Sequence, residues 1–136
     1  ASVAAHADEA GLPNLRPPLR LDVHQEPWPL EHADAIVCIN MIHIAPWSAT
    51  EALMRGAARL LAAGAPLVTY GPYRFAGEFT APSNADFDAS LRARDPAWGV
   101  RDVVDVAEVA ARHGLRHAET RALPANNHAL VFVHAP

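Results

Sequence analysis

The sequence predicts an α/β fold with a partly parallel sheet, and three observations lead to it. An almost continuously apolar run, 35–44, is β-branched over its first half. The clearest amphipathic helix follows it and is followed at once by a second apolar run, Leu67 to Tyr70. Strand, helix and strand with short connections specify a parallel, right-handed crossover. The C-terminal residues Leu115 to Leu123 and His128 to His134, separated by Pro124-Ala125-Asn126-Asn127, read as an antiparallel hairpin that closes the sheet with a reversed strand.

The elements follow in order. Residues from Ser2 to Ala10 are mostly helix formers, with Gly11 placed as a C-terminal cap and Pro13 just beyond. Leu19 to Val23 is short, apolar at alternate positions and bounded by Pro17-Pro18 and the turn-rich 24–29, so it reads as a strand ending at Asp22. The 35–44 run carries the pattern of a strand buried on both faces before it turns polar at Asn40 and His43. Trp47 and Ser48 open the next helix. Ser48 and Glu51 have capping-box spacing, and Leu53, Ala57, Leu60 and Leu61 keep a 3.6-residue period until Gly64 and Pro66 stop it. Gly71, Pro72, Gly77 and Pro82 mark a loop. Ser83 or Asn84 is placed to cap a short helix carrying Phe87 and Leu91, and the Arg94 to Val100 interval reads as a lid-like insertion. Asp102 and Asp105 begin a helix that buries Val103, Val106, Ala107 and Ala110 and is capped by Gly114.

Composition removes several function classes. The chain has 136 residues, 29 of them alanine, a length that fits one domain, 1–136. A net charge of -4 is not that of a nucleic-acid-binding surface. All 11 basic side chains are arginine, so Schiff-base chemistry and a P-loop, which need a lysine amine, are excluded. The single Cys38 excludes an internal disulfide and suits a reducing cytoplasm. No stretch approaches the roughly 18 apolar residues of a membrane span. No metal site is expected: the eight histidines show no helical i, i+4 pair, and His113 and His117 span the Gly114 break. Serine hydrolase chemistry lacks its G-x-S-x-G, and Cys38 sits mid-strand in apolar company that disfavours a thiolate.

A parallel α/β sheet finished by an antiparallel hairpin resembles the second part of a class I S-adenosylmethionine-dependent methyltransferase. The segments GLPNLRPPLRLDV, PWPL, NMIHIAPW, GPYRFAGEFTAPSNADFDASLRARDPAWGVRD and PANNHALVF sharpen this: together they resemble the methyltransferase-like family grouped with methyltransferase-like protein 26, over nearly the whole chain. The resemblance implies a Rossmann-like three-layer fold with strand order 3-2-1-4-5-7-6. It places Leu19 to Val23 on the third strand, so the first two strands would be missing. Such family members hold the cofactor on a glycine-rich turn, whereas the seven glycines here stand at 11, 56, 64, 71, 77, 99 and 114, with no G-x-G. The 35–44 strand would then have an open edge. Such an edge recruits another strand, so a homo-oligomer through that edge, or direct pairing of the two orphaned strands, is expected.

The resemblance also implies roles. Asp22 and Val23 end a strand where open α/β sheets bind ligands, and an acidic residue there meets the adenine of the cofactor. The competing reading is a solvated turn aspartate. Asn40 and Met41 are placed to line the cofactor, and His43 to act as general base or as a buried structural histidine. Trp28 could stack on the cofactor and Trp98 on a substrate, against the common use of tryptophan as packing. Tyr73 and Asn84, with Arg74, fall where an acceptor would be held, under a closing 79–101 region. Asn126 and Asn127 suit the positive φ of a tight turn. The expected function is methyl transfer from S-adenosylmethionine to a small or unknown acceptor, this chain being incomplete for it, with a non-catalytic fragment or oligomerising module as the alternative.

Overall fold

The computed structural model describes residues 3–136. Its helices are α1 (Val3–Ala10), α2 (Trp47–Leu60), α3 (Pro82–Arg94) and α4 (Val103–Arg112). Its strands are β1 (Ile36–Ile39), β2 (Pro66–Gly71), β3 (Tyr73–Phe75), β4 (Glu78–Phe79), β5 (Arg101–Asp102), β6 (Leu115–Leu123) and β7 (Asn127–His134). The main sheet has the order β1, β2, β7, β6, and a small sheet has the order β4, β3, β5. β1 and β2 pair in parallel from Ile36↔Leu67 to Ile39↔Tyr70, and β7 runs antiparallel to both neighbours. This is the 4-5-7-6 half of the strand order that the resemblance implies.

One face of the sheet makes the core. Leu67 and Thr69 of β2 and Leu130 and Phe132 of β7 are fully buried under Leu53, Met54 and Ala57 of α2 and Val106, Val109 and Ala110 of α4. The period-2 strand pattern thus meets the 3.6-period helix stripes on one side. Asp102 caps α4, its carboxylate accepting from Val104 N, and Gly114 ends that helix with a φ of 79°.

Several expectations are corrected. Leu19 to Val23 forms no strand, and Leu19 and Leu21 are exposed. A strand needs a ladder partner, and no described strand runs beside this segment, so neither does it pair with β1. The helix expected from Ser2 is described only from Val3, Ser2 lying outside the described residues. β1 is shorter than the apolar run and is not buried on both faces: Val37 and Ile39 are each 61% exposed, because no described element covers their side. The capping box at Ser48 does not form. Pro46 precedes α2, and Ser48 Oγ instead meets His24 Nε2 at 3.0 Å. Neither Ser83 nor Asn84 caps α3, since Ala81 is the cap and Pro82 opens the helix, as suits a residue without an N–H. The loop expected from Gly71 to Pro82 contains the β3–β4 hairpin, whose turn has positive φ at Ala76 and Gly77. In the β6–β7 turn it is Ala125 and Asn126, not Asn126 and Asn127, that take positive φ. The Arg94 to Val100 interval is pinned: Gly99 N donates to His43 O at 3.1 Å, and Val100 N to Asp88 Oδ1 at 2.8 Å.

Candidate functional site

The C-terminal ends of β1 and β2 lie side by side, the place where open α/β sheets bind ligands. Asn40 N donates to Tyr70 O at 2.9 Å and so prolongs the β1–β2 ladder by one residue. Asn40 itself has a φ of 53°, a left-handed conformation that asparagine tolerates better than other side chains. The chain then enters a short 3-10 turn, Ile42–Ile44, in which Ile42 and His43 are buried. Beside it, Gly71 ends β2. A Cβ there would stand 3.3 Å from His43 Nδ1 and 3.6 Å from Asn40 Oδ1, so glycine lets the backbone close on both side chains.

Two further elements complete the wall. From α3, Asn84 Nδ2 donates to Thr80 Oγ1 at 3.0 Å and to Asn126 O at 3.3 Å, tying that helix to the β6–β7 turn. Phe87, one turn on, lies with its ring centroid 5.8 Å from that of His43. From β7, Asn127 Nδ2 donates to Tyr70 Oη at 3.1 Å. Together Asn40, His43, Pro72, Asn84, Phe87 and Asn127 line a cavity of about 350 Å³. Among the described residues, its lining includes no carboxylate or guanidinium.

His43 is 6% exposed, and its ring makes no side-chain hydrogen bond among the described residues. Burial, and then the positive charge of Arg101, hold its pKa below the ordinary histidine value. The imidazole is therefore neutral at neutral pH and has a lone pair to accept a proton.

Three of the anticipated site residues, Asn40, His43 and Asn84, come together in this cavity. The others stand elsewhere. Asp22 is in an exposed turn, its Oδ1 accepting from His24 N at 2.9 Å. Val23 O accepts from the indole N–H of Trp28 at 3.1 Å. Trp28 is 5% exposed and belongs to the core cluster, so its ring is packing material and not a stacking platform. Met41 packs against the same core. Tyr73 is a core residue rather than an acceptor contact: it is buried, its hydroxyl donating to Thr69 Oγ1 at 2.8 Å, and burial pushes its phenol well above the usual range. Trp98 stands on the rim of the 95–98 turn with the Arg94 guanidinium 5.8 Å from its ring. Burial pushes the Cys38 thiol up to about 11, away from nucleophilic use. Among the described residues no group of three His, Cys, Asp or Glu side chains is arranged to hold a metal ion, and no helix is long and apolar enough to cross a membrane.

Gly71, Phe87 and Asn127 were not anticipated as site residues. Phe87 carried the signal of a core position, and Asn127 that of a turn. Gly71-Pro72 directly after an apolar strand was the visible cue that a backbone must approach something closely.

Sheet order, reversed last strand and a cavity at the strand ends define the α/β fold of S-adenosylmethionine-dependent methyltransferases. Solved structures agree. Human N-acetylserotonin methyltransferase superposes with a TM-score of 0.73 at 11% identity, over 85% of this chain and 32% of that one. An O-methyltransferase family 2 protein of Planctomyces limnophilus gives 0.72 at 18% identity, over 84% and 33%. An O-methyltransferase family protein of Burkholderia thailandensis gives 0.67 at 18% identity, over 85% and 33%. The chain spans about a third of the length of these proteins. At the level of sequence, residues 1–134 match the family described as protein of unknown function (DUF938), and the chain belongs to that family.

Proposed function

We propose that this chain carries the acceptor side of an S-adenosylmethionine-dependent methyltransferase that acts on a small hydroxyl-bearing molecule. The observation that carries the reading is the seating of His43, a buried neutral imidazole in an uncharged cavity at the strand ends. The human neighbour is described in complex with S-adenosylmethionine, which supports the same donor here.

The residues present fit that donor in part. Asn40, whose amide lines the cavity, offers an acceptor and a donor suited to the nucleoside end, and Asp22, in an exposed turn outside that cavity with its Oδ1 contacted by His24 N and Nδ1, keeps Oδ2 to accept a further hydrogen bond. The sequence offers no glycine-rich turn for the methionine end, because its two nearest glycines, Gly71 and Gly77, stand too far apart.

When bound, the donor would supply an electrophilic methyl group, its sulfonium leaving as a neutral thioether. The chain's own residues then position the acceptor and move one proton. Asn84 and Asn127 orient the acceptor through their amides, and Phe87 packs against it and excludes water. As the acceptor oxygen takes the methyl group, its O–H bond breaks and the proton passes to the His43 imidazole. Proton removal is what a weakly nucleophilic hydroxyl requires.

Calorimetric titration with S-adenosylmethionine and S-adenosylhomocysteine, followed by transfer assays on a panel of small phenols and alcohols, tests this. The expected result is saturable binding of both, and transfer that falls roughly 100-fold in His43→Gln with donor binding unchanged. A folded chain that binds neither compound overturns the reading and favours a non-catalytic module. Transfer that His43→Gln leaves intact removes the base.

A further inference from the structure

A second cavity, of about 510 Å³, lies apart from the strand-end site and has the opposite character, being lined by Arg74, Arg92, Arg101, Arg112, Asp105 and Glu108 together with Asp102. Its charges divide by depth. Arg74 and Arg101, on the adjacent strands β3 and β5, are half-buried, whereas Arg92, Arg112, Asp105 and Glu108 are exposed. The inner surface thus carries two guanidinium groups and the Asp102 carboxylate, and the carboxylates of α4 stand toward water. Asp102 is already engaged: its two oxygens accept from Gly77 N at 2.7 Å, Val104 N at 2.9 Å and Ala76 N at 3.2 Å.

The two inner guanidinium groups are held in place and only partly used. Arg74 Nη2 donates to Gly77 O at 3.1 Å, and Arg101 Nη2 to Ala45 O at 2.9 Å and Ala97 O at 2.7 Å. The guanidinium of Arg74 also lies over the Phe79 ring at 4.8 Å and that of Arg101 over the Trp47 ring at 5.5 Å. Neither has a carboxylate in ion-pair contact among the described residues. The Nε of each is buried without a partner, and neither Nη1 makes a hydrogen bond to the described protein. Burial, and then the like charge of Arg92, depress the Arg101 pKa, while Asp88 acts against both. Two fixed, incompletely paired cations at the base of a cavity are arranged for an anion, because guanidinium donors match oxyanion geometry and are strongest when charge-assisted.

We propose that this cavity binds a phosphate group, Arg74 and Arg101 supplying its inner contacts and Arg112 and Arg92 its outer ones. The proposal does not rest on the methyl-transfer reading, although the Arg101 charge also acts on His43. The cavity exceeds what inorganic phosphate fills, so a small phosphomonoester fits better than the free ion. Asp105 and Glu108 oppose an anion at the rim and set the affinity.

The test is calorimetric titration of the chain at fixed ionic strength with inorganic phosphate, with phenyl phosphate and, as control, with phenol. Saturable binding of phenyl phosphate is expected, with inorganic phosphate weaker and phenol silent. Arg74→Gln should weaken binding roughly tenfold, the loss of one charge-assisted contact, with a circular dichroism spectrum like the parent's showing that the chain stays folded. The double variant Asp105→Asn, Glu108→Gln should strengthen binding several-fold, and it does so even if arginine variants prove unstable. Inorganic phosphate binding as tightly as the ester would retain the site and assign it to the free ion. Absence of saturable binding by both phosphates, or affinity indifferent to both variants, overturns the proposal.

Discussion

The indole of Trp28 occupies the space that a Cβ on Gly56 would need, its Cζ2, Cε2 and Cη2 atoms pressed against the helix backbone of α2. A glycine in mid-helix costs about 1 kcal/mol relative to alanine, and here the cost is repaid by letting a large ring pack flat on the helix. Arg59 Nη2 donates to Trp28 O at 3.3 Å and to Leu30 O at 3.3 Å, fastening the same segment. Gly56→Ala is therefore expected to destabilise the fold by about 1–3 kcal/mol through overpacking, more than the helix propensity returns. Urea unfolding checks this, and a stabilised Gly56→Ala would show that Trp28 does not sit there in solution.

Tyr73 separates a core role from a substrate role. Tyr73→Phe leaves Thr69 Oγ1 buried without its donor, a loss of about 1–2 kcal/mol, and should leave acceptor KM unchanged because the ring does not reach the strand-end cavity. An altered KM at unchanged stability would return Tyr73 to the acceptor site.

Asp102 holds the β3–β4 turn and the start of α4 with one carboxylate. Burial pushes its pKa up, but the N–H groups of Gly77, Val104 and Ala76 and the charge of Arg74 outweigh that and hold it below the ordinary value. The sign follows: stability from this group is complete above the unfolded-state pKa of about 3.9 and is lost as pH falls through the lower folded value. Asp102→Ala should cost about 1–2 kcal/mol at pH 7 and flatten the acid limb of the stability profile. Asp102→Asn, which still caps a helix, should recover part of the loss. Denaturant midpoints measured between pH 2 and 7 distinguish the three chains.

His43 is expected to titrate below the ordinary 6.5, for burial first and the Arg101 charge second. A histidine whose folded pKa lies below its unfolded value contributes stability that is complete above 6.5 and is lost as pH falls toward the folded pKa. The acid limb of methyl transfer should fall in that same window below 6.5. Nuclear magnetic resonance titration of the imidazole reads the value directly. A pKa at or above 6.5 would show that burial and the Arg101 charge do not govern the ring.

The sheet was legible because its signals are local. The β1–α2–β2 crossover rests on apolar runs and helical period, and the β6–β7 hairpin on a turn-rich tetrapeptide between two strands. Leu19 to Val23 misled because alternation alone does not make a strand, which also needs a neighbour to receive its hydrogen bonds. Ser48 had the spacing of a capping box and spent its hydroxyl on His24, a tertiary contact that no spacing encodes. For the site, Asn40 and His43 could be read from their place after a strand, whereas Phe87 and Asn127 reach the cavity only through the packing of α3 and the last turn. Trp28 looked like a ligand platform because a tryptophan in a proline-rich loop shows no periodicity. Its partner, Gly56, lies in another element.

β1 ends the main sheet, with β2 on one side and no described strand on the other. Asn40 N points to Tyr70 O, and successive amides of a strand point to alternate sides, so the amides of Val37 and Ile39 point to the open side. In deuterated water these two should exchange within the time of fraying segments, while Asn40 keeps the protection of the paired ladder. Protection at Val37 and Ile39 that grows with protein concentration would instead report a second copy lying along that edge, and so the homo-oligomer anticipated from the sequence. Isotope uptake at two residues thus reads out the association state of the whole molecule.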